Sequence, residues 1–268
     1  FLANKYGIDI ELEHNSKSAN DLFNQLYEIN FRTSEFYSNN LNDNILIFLK
    51  NRKVLKDSIE TFKIGYSPKN PDSLLNELRG DTFSSEALQK SGLFIDVENK
   101  YIDRFRDRII FPINNNLGKV IGFAGRIHEK KKIAKYVNSP ETPLYKKSKT
   151  LYGIHITKHE IINKQAVIVV EGYFDLIQLY QANIKNVVAI SGTALTSDHV
   201  HNLSKLCKKI YLAYDGDDAG ISAAIRAGYI ISKHNLETLI IQIPKDKDPD
   251  DWVQKEGDKP FLEAIDNA

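Results

Sequence analysis

The sequence predicts an α/β protein in which a mostly parallel sheet, flanked by helices, follows a mixed α+β subdomain rich in basic residues. Three observations predict this fold. Short apolar runs alternate with amphipathic helical patterns from Gln165 onward, helical patterns dominate the first hundred residues, and an excess of Lys and Arg lies between these two regions. With 42% hydrophobic and 26% charged residues over 268 positions, the composition is that of a globular protein.

The C-terminal half alternates regularly between strand and helix patterns. We expect strands at 166–170, 186–190, 210–214 and 238–243, and helices at 174–182, 196–207, 219–233 and 260–265. Strands separated by helices of this length pair in parallel through right-handed crossovers, with helices on both faces of the sheet. Active sites of such sheets lie beyond the carboxyl ends of the strands.

The N-terminal half predicts helices and one β-hairpin. Apolar residues at helical spacing indicate helices around 22–29 and 45–49, and the first hundred residues are mostly helical by pattern. Two β-type runs, 109–113 and 119–123, flank a turn sequence and predict a hairpin. A polar, Lys-rich loop then leads to residue 150. We therefore expect a basic subdomain over residues 1–150 and the parallel-sheet domain over 151–268.

Positive charge is concentrated in the middle of the chain. Residues 100–160 contain 14 Lys and Arg against 5 Asp and Glu, whereas segments 1–99 and 161–268 each contain 11 against 15, which gives a net charge of +1. Such a basic segment beside acidic flanks is typical of a path for a polyanion, although a solvated charged surface gives the same count.

Composition also excludes several classes of protein. The longest uninterrupted apolar runs are about five residues, far below the roughly 20 that span a bilayer, so we expect no membrane association. The single cysteine, Cys207, cannot form an internal disulfide or a Cys-rich zinc site, which indicates a reducing cytoplasm, no zinc and an oxygen-bound metal. The sequence begins at Phe1 and contains no methionine. We interpret it as an excised fragment.

Six acidic residues follow the predicted strands at the edge where parallel strands end: Glu171, Asp175, Asp215, Asp217, Asp248 and Asp250. Like charges brought this close cost stability unless a cation neutralises them. Carboxylate oxygens are ligands that Mg²⁺ and Mn²⁺ prefer, and two such ions can assist the attacking and leaving oxygens of a phosphoryl transfer. The six residues therefore predict a site for two or more divalent ions and phosphoryl-transfer chemistry on nucleotides.

Other interpretations of these acidic residues differ in strength. Asp–Gly pairs are common in turns, and Asp218 before Ala219 can simply cap a helix. An EF-hand requires Glu at the twelfth position counted from Asp215, where the sequence has Arg226. An aspartyl-phosphate enzyme also places Asp at a strand end, yet it leaves Glu171 and the basic segment unexplained.

Several strings carry a resemblance to a known family. They are EGYFD at 171–175, SGTAL at 191–195, YDGDDAG at 214–220 and KDPDD at 247–251, preceded by RFRDRIIFP at 104–112, VIGFAGR at 120–126 and KYVNSPETPLY at 135–145. In order and spacing the first four resemble the Toprim fold of bacterial DnaG-type DNA primases. The upstream strings resemble the basic part of the same RNA-polymerising catalytic core.

The resemblance implies a primase, a DNA-directed RNA polymerase that makes short RNA primers on single-stranded DNA for replication by metal-assisted nucleotidyl transfer. It implies Glu171, Asp215 and Asp217 as catalytic residues, with Glu171 assisting proton transfer at the 3′-hydroxyl and the two aspartates holding Mg²⁺ or Mn²⁺. Asp175, Asp248 and Asp250 match accessory metal positions. The resemblance also implies that six basic residues bind the template and the nucleotide: Arg104, Arg106, Arg108, Arg126, Lys135 and Lys147.

The same resemblance implies partners and missing parts. The expected partners are a single-stranded DNA template, nucleoside triphosphates and the RNA primer, and for the full-length protein the replicative helicase and single-stranded DNA-binding protein. A zinc-binding domain is expected before Phe1, and a helicase-interacting domain after Ala268. Because nucleases and topoisomerases share the Toprim carboxylates, a Toprim nuclease or topoisomerase fragment is the alternative.

Overall fold

The N-terminal half contains five helices and six strands within the residues that the computed structural model describes, which are 15–80, 82–98, 100–129 and 131–268. Its helices are α1 (Asn15–Asn39), α2 (Asp43–Asn51), α3 (Lys56–Thr61), α4 (Ser73–Leu78) and α5 (Ser85–Lys90). Its strands are β1 (Gly65–Ser67), β2 (Phe94–Val97), β3 (Lys100–Asp103), β4 (Arg108–Asn114), β5 (Val120–Arg126) and β6 (Tyr136–Asn138). Residues 1–14 of the predicted basic subdomain lie outside the described residues.

Four of these strands form an antiparallel sheet in the order β1-β4-β5-β6. The predicted hairpin is confirmed as β4 and β5. Its turn closes with a hydrogen bond from the Gly118 amide to the Asn115 carbonyl, and Gly118 has a φ of +82°, which glycine adopts without a steric cost. The hairpin directs the end of β5 toward the C-terminal half.

The expectation of a mostly helical first hundred residues is confirmed for the described residues, but it missed short strands. β1, β2 and the start of the β2–β3 hairpin lie in that segment, and β6 lies in the stretch predicted as a loop. Strands of three or four residues are too short to show a clear alternation, and their pairing with a neighbouring strand fixes them instead. The two helices predicted around 22–29 and 45–49 are confirmed as α1 and α2.

The C-terminal half begins after a 3₁₀ turn at Lys147–Lys149 and contains a parallel sheet. Its helices are α6 (Ile154–Lys164), α7 (Tyr173–Gln181), α8 (Ser197–Ser204), α9 (Asp218–Ile231), α10 (Pro249–Glu256) and α11 (Lys259–Asp266), with a second 3₁₀ turn at Ser232–His234. Its strands are β7 (Ala166–Val170), β8 (Val187–Ala189), β9 (Lys209–Leu212) and β10 (Glu237–Ile240). They pair in parallel in the order β10-β9-β7-β8, which confirms the predicted fold class.

Helices cover both faces of this sheet. Along β7, Ile168 and Val170 pack into one hydrophobic cluster, and Val167 and Val169 pack into another on the opposite face. Helix α10 is absent from the sequence-based expectation, although Asp248 followed by Pro249 is typical of a helix start. Asp250 therefore lies in the first turn of a helix rather than in a loop.

One hydrophobic core crosses from the N-terminal half into the C-terminal half. The Phe111 ring of β4 stacks on Tyr173 with 5.1 Å between ring centroids and meets the edge of Phe174 at 5.4 Å. Phe62 likewise stacks on Tyr152 at 6.0 Å. This shared core fixes the relative position of the two sheets, and with it the cleft between them. Among the described residues, no helix is long and apolar enough to cross a membrane.

Replacing Phe111 by alanine tests this shared core. Phe111 is fully buried, so Phe111→Ala leaves a cavity between the halves and should lower the free energy of unfolding by about 3–5 kcal/mol. The matched control is Leu117→Ala in the hairpin turn, where the side chain is 82% exposed and a change of about 0.5 kcal/mol or less is expected. Urea unfolding curves measure both. Equal effects of the two substitutions would contradict a core shared by the halves.

Candidate active site

A polar cleft of about 270 Å³ lies between the two halves, and we call it the central cleft. The C-terminal half contributes acidic residues from the carboxyl edge of the parallel sheet: Glu171, Asp175, Asp215, Asp248 and Asp250. The N-terminal half contributes three cations and two polar side chains: Arg52, Arg126, Lys135, Tyr136 and Asn138. Opposite charges thus face each other across the junction of the two sheets.

Glu171 and Asp215 are the half-buried carboxylates at the ends of β7 and β9. Burial raises the pKa of Glu171, and the nearby Asp217 raises it further. Burial raises the pKa of Asp215 to about 6, with contributions from Glu171, Asp248 and Asp217, whereas the Lys135 ammonium opposes the shift. The buried Oε1 atom of Glu171 has no hydrogen-bond partner among the described residues. Both carboxylates therefore lie where a cation would stabilise their charged forms.

Asp217 and Asp248 each cap the N-terminus of a helix. The Oδ1 atom of Asp217 accepts a hydrogen bond of 2.7 Å from the Gly220 amide at the start of α9. The Oδ1 atom of Asp248 accepts one of 2.6 Å from the Asp251 amide at the start of α10. The helix cap is thus Asp217 and not Asp218. Asp217 does not line the central cleft, but its charge acts on both Glu171 and Asp215.

Asp175 and Asp250 are buried and have protein partners. Asp175 accepts hydrogen bonds from the amides of Gly172, at 2.8 Å, and Asp250, at 3.2 Å, which ties α7 to α10. Burial, together with Asp248, Asp215 and Asp250, raises the pKa of Asp175 to about 8. The Asp250 carboxylate forms an ion pair with Arg52, and its side chain is 1% exposed. That Asp175 and Asp250 bind metal directly stays a prediction.

The donor set of the central cleft fits a hard divalent cation. Ligand atoms of Asp248 and Asp250, which line the cleft, and of Asp251, which does not, lie within 4.8 Å of one another, close enough to share one ion. Asp251 was absent from the predicted ligand set, although it directly follows Asp250 in the sequence. Together with the unpartnered oxygen of Glu171, the cluster offers carboxylate oxygens, which suit Mg²⁺ or Mn²⁺.

Two of the predicted basic residues lie in the central cleft. The Arg126 guanidinium, at the end of β5, lies over the rings of Phe48 and Phe174 at 5.0 and 5.2 Å, which holds a buried cation at the cleft. Its buried Nε atom has no hydrogen-bond partner among the described residues. Lys135 is exposed at the rim, near Asp215.

Arg52 is a cleft residue that sequence reasoning missed. Its guanidinium lies 4.6 Å from the Phe174 ring centroid and pairs with Asp250, which is 198 positions away in the sequence. Arg52 follows α2 in a segment without a recognisable motif, so no local signal identifies it. Asn138 lies in the KYVNSPETPLY string at 135–145 but was not predicted as a site residue. It bridges the halves by donating a hydrogen bond to the Ser191 carbonyl at 2.8 Å and accepting one from the Tyr173 hydroxyl at 3.1 Å.

The remaining predicted basic residues do not line the central cleft. Arg108 is buried, and its Nη1 atom donates to the carbonyls of Gly125, Ala134 and Lys135 at 3.1–3.3 Å. Arg108 thus holds the backbone that carries Lys135, and its role in nucleic-acid binding remains a prediction.

Arg104 and Arg106 also bond to protein carbonyls, those of Gly92 and Asp103. Lys147 lies in the 3₁₀ turn, and its carbonyl oxygen forms a hydrogen bond with the Nε2 atom of the His199 ring. For these three residues a nucleic-acid role remains a prediction.

These features define the class of the protein: a Toprim-like parallel sheet, with acidic residues at its carboxyl edge, packed against a basic antiparallel-sheet domain. Comparison of sequences agrees with this class. Residues 32–158 match the profile of the DNA primase catalytic core, N-terminal domain, and residues 168–253 match the Toprim-like profile.

Individual relatives identify the family. The chain is 35% identical to the DNA primase of Clostridium acetobutylicum and 38% identical to that of Legionella pneumophila, covering 45% and 44% of their lengths and 100% and 94% of its own. The chain thus spans about half the length of the curated relatives that it matches. It therefore belongs to the DnaG family of DNA primases.

Solved structures share the fold. The Aquifex aeolicus primase, comprising zinc-binding and RNA polymerase domains, superposes with a TM-score of 0.87 at 33% identity over 99% of this chain and 65% of that one. The RNA polymerase domain of Mycobacterium tuberculosis DnaG gives 0.85 at 31% identity over 91% of this chain and 83% of that one. A DnaG catalytic domain bound to single-stranded DNA gives 0.86 at 31% identity, over 93% and 80%.

The raised pKa values predict how pH and metal affect stability. The folded pKa values of Asp175 and Asp215, about 8 and about 6, exceed the usual carboxyl value of 3.8, so the folded state holds extra protons and loses stability as pH rises from about 4 to 8. Saturating Mg²⁺ should therefore raise the melting temperature by about 5–10 °C at pH 8 and far less at pH 5. Thermal melts at both values measure the effect.

A matched pair of variants assigns this effect to the cleft. Asp215→Asn should reduce the Mg²⁺-dependent rise and increase the metal-free stability at pH 8, because one buried charge is removed. Asp57→Asn, at an exposed carboxyl of α3, should change neither quantity. A Mg²⁺ effect that is the same at pH 5 and pH 8, or unaltered in Asp215→Asn, would contradict metal binding at this cluster.

Proposed function

We propose that this chain is the catalytic core of a DNA primase, which synthesises short RNA primers on single-stranded DNA from nucleoside triphosphates. The observation that carries the proposal is the central cleft, where oxygen ligands for divalent ions face three cations that can hold phosphates. A nucleoside triphosphate suits both parts of this cleft, because its phosphates can bind metal ions on one side and guanidinium or ammonium groups on the other.

The acidic residues take different roles in this proposal. Glu171, Asp215 and Asp217 are the catalytic residues, and Asp215, Asp217 and Asp248 hold Mg²⁺ or Mn²⁺. Bound there, two divalent ions would neutralise triphosphate charge and make the primer 3′-hydroxyl more acidic. Asp175 and Asp250 act mainly by fixing the helix starts and orienting Arg52, since their oxygens already accept hydrogen bonds or pair with a cation.

The chain's own residues then position the reactants. Arg126 and Arg52 hold the triphosphate, because ring contacts and burial keep both guanidinium groups oriented before the substrate arrives. The 3′-oxygen of the primer forms the new bond to the α-phosphorus, pyrophosphate leaves with the electron pair of the broken bond, and the hydroxyl proton passes to the Glu171 carboxylate. Burial beside Asp217 raises the proton affinity of Glu171, which suits it to this step.

The template and the wider assembly follow from the family. Single-stranded DNA would cross the basic N-terminal domain through phosphate contacts with low sequence selectivity, supported by the relative solved with single-stranded DNA. We propose that the two domains meet near residue 150. The full-length protein would act in the cytoplasm at the replication fork, with the replicative helicase and single-stranded DNA-binding protein as partners.

A primer-synthesis assay tests the function. We expect the chain, given single-stranded DNA, a short annealed RNA primer, labelled nucleoside triphosphates and Mn²⁺, to lengthen the RNA. Asp215→Asn and Asp217→Asn should each lower the rate at least about 100-fold while DNA affinity is retained, because the lost charge serves the metal site and not the template. Asp57→Asn is the control with wild-type rate.

The same assay separates the alternative. With the DNA strand end-labelled as well, a Toprim nuclease or topoisomerase fragment would cut or shorten the DNA and would lengthen no RNA. Primer extension at the wild-type rate by Asp215→Asn would overturn the proposed role of the acidic cluster.

A further inference from the structure

A second cleft, of about 450 Å³, lies on the other side of Glu171, and we call it the rear cleft. Helix α9 and the loop that follows β8 form its sides. Glu171 and Gly192 line both this cleft and the central cleft, so the two spaces share a rim. Gly192 has a φ of +83°, and a Cβ atom there would lie 3.1 Å from the Asn138 side chain. The absence of a side chain at Gly192 therefore lets this loop lie close to Asn138 at the shared rim.

The rear cleft holds an unsatisfied polar group. Tyr214 is 5% exposed, and its hydroxyl is buried without a hydrogen-bond partner among the described residues. Glu171, whose carboxylate also carries an unpartnered oxygen, is a lining residue of the same cleft. A buried hydroxyl without a partner costs stability, so a hydrogen bond supplied by a ligand in the rear cleft would stabilise it.

The rest of the lining fits a nucleotide. Leu195, Ile190 and Ile230 give the cleft an apolar side, and the small residues Ala223 and Ala227 leave room beside α9. Arg226 is exposed in the lining and forms no ion pair among the described residues, so its guanidinium is available for a phosphate. An apolar surface, hydroxyl-binding groups and one cation match a base, a ribose and a phosphate.

We propose that the rear cleft binds the 3′-terminal nucleotide of the RNA primer, with Tyr214 hydrogen-bonded to its ribose 2′-hydroxyl and Arg226 bound to its phosphate. The inference rests on the proposed function and adds the second nucleotide site that the reaction requires. The central cleft, with three cations, takes the triphosphate, and the rear cleft, with one, takes a monophosphate linkage. Glu171 lies between them, next to the 3′-hydroxyl that attacks.

Single-nucleotide extension of primers with different ends tests this site. The chain is given a template annealed to an RNA primer that ends in either a ribonucleotide or a 2′-deoxyribonucleotide. Wild-type protein should extend the ribonucleotide end about tenfold more efficiently, and Tyr214→Phe should remove that preference. Tyr229→Phe, at a tyrosine on α9 that is 71% exposed, should keep it.

Arg226→Ala tests the proposed phosphate contact independently of Tyr214, because the exposed side chain can be removed without disturbing the core. It should raise KM for the primer about tenfold and leave KM for the nucleoside triphosphate unchanged. Lys205→Ala, an exposed cation outside the cleft, should change neither.

The outcomes separate this inference from the proposed function. If wild-type protein extends primers while Tyr214→Phe keeps the ribose preference, or Arg226→Ala keeps the primer KM, the rear cleft is not the primer site and the primase function stands. If wild-type protein extends neither primer, the proposed function and this inference both fall.

Discussion

The structure depends on the way negative charge is held at one edge of the parallel sheet. Three of the carboxylates accept hydrogen bonds from amides at the starts of helices: Asp175 at α7, Asp217 at α9 and Asp248 at α10. Each helix N-terminus carries a partial positive charge, which stabilises an anion beside it. Because β7, β9 and β10 run in parallel, the helices that follow them all start at the same edge, and the fold supplies compensation where the acidic residues repel one another.

That compensation is incomplete, and the deficit has chemical consequences. The pKa values of Glu171, Asp175 and Asp215 remain raised by burial and by their acidic neighbours. The N-terminal half adds Arg52, Arg126 and Lys135 across the central cleft, and of these three cations only Arg52 forms an ion pair with an acidic residue of the cleft. The negative charge of the acidic residues therefore remains incompletely neutralised, and divalent ions would neutralise it. Arg126 and Lys135 form no ion pair among the described residues and can hold phosphates together with Arg52.

Sequence alone predicted the features that depend on neighbouring residues. The alternation of apolar runs and helical patterns predicted the parallel sheet, and the position of Glu171 and Asp215 after strands predicted that they meet at one edge. Helix α10 could have been predicted from Asp248 and Pro249, which are typical of a helix start.

Features that depend on distant residues could not be predicted in this way. The pairing of Arg52 with Asp250 joins two segments that meet only because the halves share a core. Arg108 has the sequence context of a basic surface, but the turn of the chain around 134–135 buries it against three carbonyls. The short strands β1 and β6 depend on pairing with β4 and β5. Burial and long-range pairing, rather than local pattern, decide all three cases.

Divalent ions at the acidic edge of the parallel sheet can be located directly. Anomalous X-ray diffraction from crystals of this chain soaked in Mn²⁺ measures their positions, because manganese is located independently of the protein atoms. We expect anomalous peaks in the central cleft, bound by carboxylate oxygens that include Asp215 and Asp248. A cleft without a peak at saturating Mn²⁺, or peaks only at isolated surface carboxylates, would contradict this expectation.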